Sequence, residues 1–269
     1  MIMDLLKREL APILPAAWDL IDHEATRVLK LHLAGRKVVD FRGPFGWEVA
    51  AVNTGRLRAI ERKEGPAVSA GVRLVRPLVE FRAPIRLELA ELDAVGRGAQ
   101  EPNIEDVVRA AEHAARFEDG AIFNGLAAAG IEGILEVAPH KPVVIPAPEA
   151  WPRAVAEARE VLRAAGVDGP YALALGPKAY DELAAAAEDG YPLRKHIEGQ
   201  LIDGPIVWAP ALEGGVLLST RGGDFELTVG EDLSIGYDGH DRQVVELFLT
   251  ESFTFRVLER AAAVALRRG

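Results

Sequence analysis

The side chains that could do chemistry are scattered along this chain. Ser219, Ser234 and Ser252 lie in strand-like stretches and none belongs to a GxSxG motif, so no serine nucleophile is predicted. Six histidines occur without an HExxH motif or another tight ligand spacing: His23, His32, His113, His140, His196 and His240. The chain has no cysteine, which excludes disulfides, thiolate catalysis and cysteine-ligated metal sites. The sequence therefore predicts no catalytic residue and no metal site, and a protein that is not an enzyme.

One glycine-containing motif could suggest phosphate binding. Residues 221–224 read RGGD and stand immediately before a strand-like run. Phosphate-binding loops need a longer glycine pattern, so we interpret RGGD as a turn. Nucleotide binding is not expected.

The composition limits the number of domains and the kinds of partner that the protein can have. The chain has 269 residues, 49% of them hydrophobic, so it can bury a large core in one or two domains. Its formal net charge is −10 and it has no block of basic residues, which argues against nucleic acid as the main partner. No apolar run reaches the roughly 20 residues of a membrane span, and the first residues carry charges throughout. We therefore expect no membrane span, no signal peptide and a cytoplasmic location.

The most regular elements lie in residues 221–255. Apolar residues alternate with polar ones in 225–229, in 233–237 and in 245–255, which predicts three strands, each with one buried face. Glu251 is the one polar residue on the apolar face of the third strand. Strand patterns with neither a nucleophile nor a paired base suggest a protein whose task is its shape.

Residues 1–136 are predicted to supply helices and an extended excursion. Residues 1–34 read as a short helix, an interruption at 11–15 and a longer helix that ends near Gly35. Residues 52–76 read as a two-stranded excursion, and we expect it to lie on another subunit because an isolated hairpin is marginal in water. A strand with Leu89 on its apolar face follows, and then the strongest helix at 103–123, with Asn103 as its N-cap and Asp106 at the capping-box position.

Residues 137–216 form the best candidate for a separate domain. Their pattern alternates helices with strands: a helix at 152–165, a strand at 171–175, a helix at 177–187 and a strand at 206–210. The unit is inserted between residues 78–135 and the C-terminal strands.

Seven segments in order along the chain carry a resemblance to a known family: LKRELAPILPAAWDLID, GRKVVDFRGPFGWE, PLVEFRAPIRLELAELD, RFEDGAIFNG, GPYALAL, YPLRKHIE and residues 221–255. Together they resemble the encapsulin nanocompartment shell proteins, also described as linocin-type bacteriocins. The resemblance runs essentially from one end of the chain to the other, so it is more specific than a single motif.

The resemblance implies an α+β fold, the phage major capsid fold of the Hong Kong 97 type. Its parts would be an N-terminal arm and helix at 1–48, an extended loop at 49–76, a peripheral domain at 77–136 and 217–269, and an axial domain at 137–216.

The resemblance also implies a function. The chain would assemble with itself into a closed icosahedral shell of sixty copies or a larger multiple. The shell would enclose a cargo enzyme, such as a ferritin-like iron-storing protein or a dye-decolourising peroxidase, held by a C-terminal targeting peptide. The alternatives are a phage-derived capsid protein that packages DNA and, with less support, a small hydrolase or bacteriocin.

Five positions match the surface on which relatives hold the cargo peptide: Arg36, Asp40, Leu233, Ile235 and Tyr237. Alternate side chains of one strand can form an apolar groove, and an arginine and an aspartate nearby can fix the register of an extended peptide. From the residues alone, Leu233 and Ile235 could equally be core residues and Arg36–Asp40 a pair one helical turn apart.

Two further sites follow from the resemblance. Glu188, Asp189, Gly190 and Tyr191 match the loop that lines the five-fold pore, where a ring of acids would favour small cations. From the residues alone these four could equally be an exposed loop after a helix.

Some relatives bind a flavin at a tryptophan, but this chain has Ala90 there, so no cofactor is expected.

Overall fold

The structure, a computed structural model, describes residues 5–60, 69–188 and 190–269. These residues combine helices with β-sheets in an α+β arrangement. The helices are α1 (Pro15–His32), α2 (Leu89–Gly96), α3 (Glu105–Asn124), α4 (Ile134–Val137), α5 (Trp151–Ala164), α6 (Pro177–Ala185) and α7 (Leu193–His196). The strands are β1 (Asp40–Arg42), β2 (Ala51–Ala59), β3 (Gly71–Pro77), β4 (Val79–Glu88), β5 (Val143–Ile145), β6 (Tyr171–Leu175), β7 (Ala187–Glu188), β8 (Tyr191–Pro192), β9 (Ile206–Trp208), β10 (Gly215–Ser219), β11 (Phe225–Val229), β12 (Ser234–His240), β13 (Val244–Val257) and β14 (Ala263–Arg268).

The N-terminal region holds one long helix. α1 begins at Pro15, a position where proline is favourable because the first helical N–H has no partner within the helix. Ahead of it, residues 8–10 form only a single 3₁₀ turn instead of the short helix predicted from the sequence. The apolar stripe of α1 packs against α3.

Helix α3 starts at Glu105, two residues later than the predicted range of 103–123. Asn103 is not its N-cap, which is Ile104, although the Asn103 side chain accepts a hydrogen bond from the Glu105 N–H at 3.3 Å. Asp106 completes no capping box either, because its carboxylate faces the Arg86 N–H. The acids of the first turn still favour the positive end of the helix dipole.

The first sheet has the strand order β1-β11-β13-β12, with β4 on the other side of β13. The 14 residues of β13 make it the long central strand, paired with β4 over 244–253 and with both β11 and β12 on its opposite side. β12 therefore lies at the end of the sheet. Leu89, predicted to continue the apolar face of β4, instead begins α2.

The pattern in β11 was interpreted incorrectly. The alternation predicted one buried and one solvated face, but all five residues of the strand are buried. Glu226 can be buried because Arg42 and Arg256 both pair with its carboxylate. The alternation predicted that the Glu226 carboxylate faces solvent, but the two arginines neutralise its charge inside the protein.

The second sheet has the order β5-β14-β10-β6-β9, with helices α5 and α6 packed against it. Two strands of this sheet, β10 and β14, fall in the range 217–269 or at its boundary, which the sequence division assigns to the other unit. A division at residue 217 therefore does not follow the sheets. Pairing between strands so distant in sequence leaves no mark on the local pattern.

β2 and β3 form a two-stranded antiparallel sheet of their own, which we call the arm. Its root is tied to the body: Arg256 donates to the Asn53 carbonyl and Arg76 to the Gly130 carbonyl. Residues 61–68, which the excursion predicted at 52–76 also includes, lie outside the described residues.

The apolar interior falls into two clusters that meet along α3. The first half of α3 packs with α1, β4 and β12, and the last turn packs with the second sheet and β11. Where the clusters meet, α3 carries the buried acids Glu118 and Asp119. No helix in residues 5–60, 69–188 and 190–269 combines the length and apolarity needed to cross a bilayer.

Candidate functional site

The predicted groove residues lie on and beside β12. Ile235 and Tyr237 pair with Leu249 and Leu247 of β13, and Leu233 directly precedes the strand. Ile235 is only 4% exposed and belongs to the core between α1 and α3. Leu233 and Tyr237 pack on the same core but are half-buried, so these two keep part of their surface open.

The backbone of β12 faces outwards at one edge, which we call the open edge. The Tyr237 N–H does not point at β13; it donates to the Leu6 carbonyl oxygen at 2.7 Å. Hydrogen-bonding direction alternates along an antiparallel strand, so the Ile235 backbone, two residues earlier, also points away from β13. A strand edge with outward N–H and C=O groups is a template for an added extended segment.

Arg36 ties the beginning of β12 to the interior. Its guanidinium lies 2.7 Å from Glu118, 2.7 Å from Glu251 and 2.8 Å from Asp232. We call these four residues the anchor cluster. Both glutamate side chains are fully buried, whereas that of Asp232 is 39% exposed. The cluster thus joins α3 and β13 to the residue next to Leu233.

The charges of the anchor cluster are strongly coupled. Burial and the adjacent carboxylate of Glu118 raise the pKa of Glu251 well above its usual value. Burial opposes the charge on Arg36, but its hydrogen bonds and ion pairs with the surrounding acids raise the pKa of the guanidinium. Because one arginine faces three acids, removing the arginine leaves buried carboxylates without a counter-charge.

The turn before Arg36 is fixed by the neighbouring acid on α3. Both oxygens of Asp119 accept backbone hydrogen bonds, from the Ala34 N–H at 2.9 Å and from the Gly35 N–H at 2.8 Å. A Cβ at Gly35 would lie 2.5 Å from Ile122 Cδ1, so the close approach of this turn to α3 requires glycine. Burial first, and the charge of Glu118 among further causes, raise the pKa of Asp119 to about 7.

Asp40 lies elsewhere. Its carboxylate accepts a hydrogen bond from the Gly223 N–H at 2.5 Å, in the turn that carries RGGD. Gly222 and Gly223 both have positive φ, which glycine adopts without strain. Arg36 and Asp40, predicted to act together, have different partners. Arg36 pairs with the acids of the anchor cluster, and Asp40 holds the turn before β11.

The predicted pore loop is a short hairpin. Its strands are β7 and β8, and Glu188 pairs with Tyr191. Gly190 has a φ of 80°, which suits a tight turn, and Tyr191 is 55% exposed. Asp189 lies outside the described residues.

The histidines are dispersed in the structure as in the sequence. Among residues 5–60, 69–188 and 190–269, no three histidine, aspartate or glutamate side chains are grouped so that they could hold a metal ion. His32 ends α1 and stacks edge-on against Trp208 with ring centroids 5.2 Å apart. Ala90 lies on an exposed position of α2.

Comparison with known proteins identifies the family. The family described as "Encapsulating protein for peroxidase" matches residues 3–254. A type 1 encapsulin shell protein from Rhodospirillum rubrum is 47% identical over 98% of this chain and 97% of its own length. The chain belongs to the encapsulin shell protein family.

Solved structures show the same fold at low identity. The virus-like particle protein from Pyrococcus furiosus superposes with a TM-score of 0.64 at 14% identity, covering 92% of this chain and 98% of its own. The capsid protein of Myoviridae phage XM1 superposes with a TM-score of 0.54 at 13% identity, over 87% and 90% of the two chains. The encapsulin chain therefore has the phage major capsid fold predicted from the sequence.

Sequence reasoning on the encapsulin chain missed the partners of Arg36. Glu118 and Asp119 look like ordinary polar residues of a helix, and Asp232 looks like part of a turn. One signal was available: Glu251 interrupts an otherwise apolar strand face. A buried acid needs a counter-charge, and that requirement could have pointed to Arg36.

Proposed function

We propose that the chain is the shell subunit of an encapsulin nanocompartment, which self-assembles into a closed icosahedral cage around a cargo enzyme. Family membership supports the shell role. The observation that carries the assembly is the arm, because its surface is that of an interface and not of a solvated hairpin.

The arm exposes apolar side chains that a solitary subunit has no reason to display. Leu57 is 67% exposed, Val75 46% and Val72 43%. Two strands alone bury too little surface to be stable in water. A neighbouring subunit that covers the arm supplies the missing apolar contact, and the stability of the subunit then depends on assembly.

The assembly is tested with the purified chain by light scattering after gel filtration and by negative-stain microscopy. Closed particles of uniform diameter are expected. The ratio of absorbance at 260 and 280 nm then separates an empty or enzyme-filled shell from a capsid that packages DNA. A monodisperse monomer would overturn the shell function.

We further propose that cargo docks at the open edge of β12. An extended C-terminal tail can add to the Ile235 backbone and place alternate side chains against Leu233 and Tyr237. Asp232, held by Arg36 and partly exposed, offers a carboxylate at the end of this edge. We favour a peroxidase as cargo because the family is described as encapsulating one.

The test of docking changes the half-buried residues and spares the core. Leu233→Asp with Tyr237→Asp is expected to leave shells intact and to remove cargo when the shell is co-expressed with a peroxidase that carries a C-terminal targeting peptide. Ile235→Asp is a poor test, because a carboxylate at this 4% exposed position would disrupt the core. Leu258→Asp, at an exposed leucine after β13, is the matched control and should load normally. Normal cargo content in the double variant would contradict docking at β12.

The β7–β8 hairpin is proposed to line a pore. Adjacent acids repeated around a symmetry axis would concentrate small cations at the opening. Glu188→Gln with Asp189→Asn is expected to slow the entry of Fe²⁺ or Tb³⁺ into intact shells, measured by stopped-flow quenching of an enclosed dye. An unchanged entry rate would contradict the pore role.

A further inference from the structure

Part of the open edge is already occupied by the chain itself. Residues 5–10, which we call the strap, cross β12, and the Leu6 carbonyl oxygen accepts the Tyr237 N–H at 2.7 Å. An extended peptide that paired along the whole of β12 would need that same N–H. The strap and such a peptide cannot both have it.

The strap is held by surface contacts that can open. The Arg8 guanidinium lies 2.6 Å from Asp22 and 3.9 Å above the ring of Trp18, both on α1. The Arg8 and Asp22 side chains are 30% and 44% exposed, and an ion pair so accessible to water contributes little. Lys7 has a φ of 51°, an uncommon left-handed conformation for a residue other than glycine.

The chemistry of the strap matches the strand beneath it. The strap reads LLKREL, in which leucines flank two adjacent basic residues. β12 contains the acid Asp238, and Asp232 and Asp241 lie just before and just after the strand. The basic residues of the strap and the acids in and beside β12 are opposite in charge, and opposite charges favour the approach of one segment to the other.

We propose that the strap is a built-in substitute for the cargo tail. The strap must be displaced from Tyr237 before a tail can pair along β12. This inference rests on the proposed docking of cargo at the open edge. It also defines the chemistry of the tail that fits: an extended peptide with leucines and adjacent basic residues. Cargo affinity is then set in part by how firmly the strap holds the Tyr237 N–H.

The test uses the strap as its own probe. A fluorescent protein that ends in a copy of residues 5–14 is co-expressed with full-length shells, with Arg8→Ala shells and with shells lacking residues 1–10. The truncated shells are expected to enclose about fivefold more probe, the factor that corresponds to one net hydrogen bond of about 1 kcal/mol regained. The Arg8→Ala shells should enclose an amount between those of the truncated and the full-length shells, because the exposed Arg8–Asp22 pair contributes only part of what holds the strap. The exchanged pair Arg8→Asp with Asp22→Arg should restore the full-length level. Arg27→Ala, which breaks an exposed pair with Glu24 elsewhere on α1, is the control and should change nothing.

Hydrogen exchange of the empty shells tests the strap without any cargo. The Tyr237 amide should be protected in full-length shells, exchange freely in shells lacking residues 1–10 and exchange at an intermediate rate in Arg8→Ala shells. Equal probe loading in all shells would overturn the strap as a competitor and leave docking at β12 intact. Probe in none of the shells would overturn the strap as a substitute for the tail. Failure of docking itself shows separately, as cargo retained by the Leu233→Asp, Tyr237→Asp shells.

Discussion

The anchor cluster and the arm invert the usual distribution of side chains in opposite ways. The anchor cluster buries charges: the side chains of Glu118 and Glu251 have no exposed surface. The arm does the reverse and exposes apolar groups, with Leu57 67% open to solvent. Both arrangements are costly for a lone chain unless partners compensate.

The difference lies in where the partner comes from. The anchor cluster has its cation within the same chain, because Arg36 meets all three acids at hydrogen-bonding distance. Within residues 5–60, 69–188 and 190–269, nothing covers the exposed leucine and valines of the arm, and the proposed shell supplies that cover from a neighbour. Variants of the two regions should therefore fail at different stages, the first in folding and the second in assembly.

The largest effect is expected from Arg36→Ala. It leaves buried carboxylates without their cation, which typically costs about 3–5 kcal/mol, a large part of the stability of a domain. The soluble yield and the midpoint of thermal unfolding should both fall sharply. Arg27→Ala, an exposed arginine of α1, is the control and should stay within about 0.5 kcal/mol of the parent. Equal thermal stability of the two variants would show that the anchor cluster is not structural.

The arm should respond in assembly and not in folding. Leu57 pairs with Arg73, and Val72 pairs with Arg58, so Leu57 and Val72 point to opposite faces of the arm. Leu57→Asp and Val72→Asp, made separately, should each leave the secondary structure of the subunit unchanged, and the one on the covered face should abolish particles in gel filtration with light scattering. Leu31→Asp, at a leucine of α1 that is 53% exposed, should still assemble. If both arm variants still form particles, the arm is not part of the interface between subunits.

A pH effect of intermediate size is expected beside the anchor cluster. Burial raises the pKa of Asp119 from 3.8 to about 7, so the folded protein binds more protons there than the unfolded chain does. The contribution of this group to stability is therefore present at low pH and is lost as the pH rises through its folded pKa. As the pH rises from 3.8 to about 7, the unfolding temperature of the parent should fall relative to that of Asp119→Asn.

The control for that experiment is an acid with the opposite shift. Hydrogen bonds from the Gln243 and Val244 N–H groups lower the pKa of Asp241 below its usual 3.8. Its pH dependence therefore lies at lower pH, and the gap between the parent and Asp241→Asn should stay flat over the same window. A flat gap for Asp119→Asn as well would contradict the raised pKa.

The smallest effect is expected from Asp40→Ala. The change removes the acceptor for the Gly223 N–H and should cost about 1 kcal/mol, as for a typical hydrogen bond. Cargo loading should be unchanged if Asp40 acts only on the turn before β11. Loss of cargo with unaltered unfolding temperature would instead place Asp40 in the docking surface, as the family resemblance implies.

How far the sequence can predict this molecule differs between its backbone and its buried polar groups. Periodicity locates α1, α3 and the strands of 225–257, because apolar faces repeat locally. It could not distinguish Ile235, a core residue, from Leu233 and Tyr237, which are half-exposed, because all three share one alternation. The partners of Arg36 were also hidden, since they are 82 to 215 residues away along the chain.

The position of β14 has a consequence for how subunits are made. This strand, at residues 263–268, lies between β5 and β10 in the second sheet. The sheet can therefore close only after residues 263–268 have left the ribosome, and a chain cut short at residue 217 keeps β5 without a strand to pair with. A product that ends before residue 263 lacks the strand that joins β5 to β10, so it cannot form this sheet.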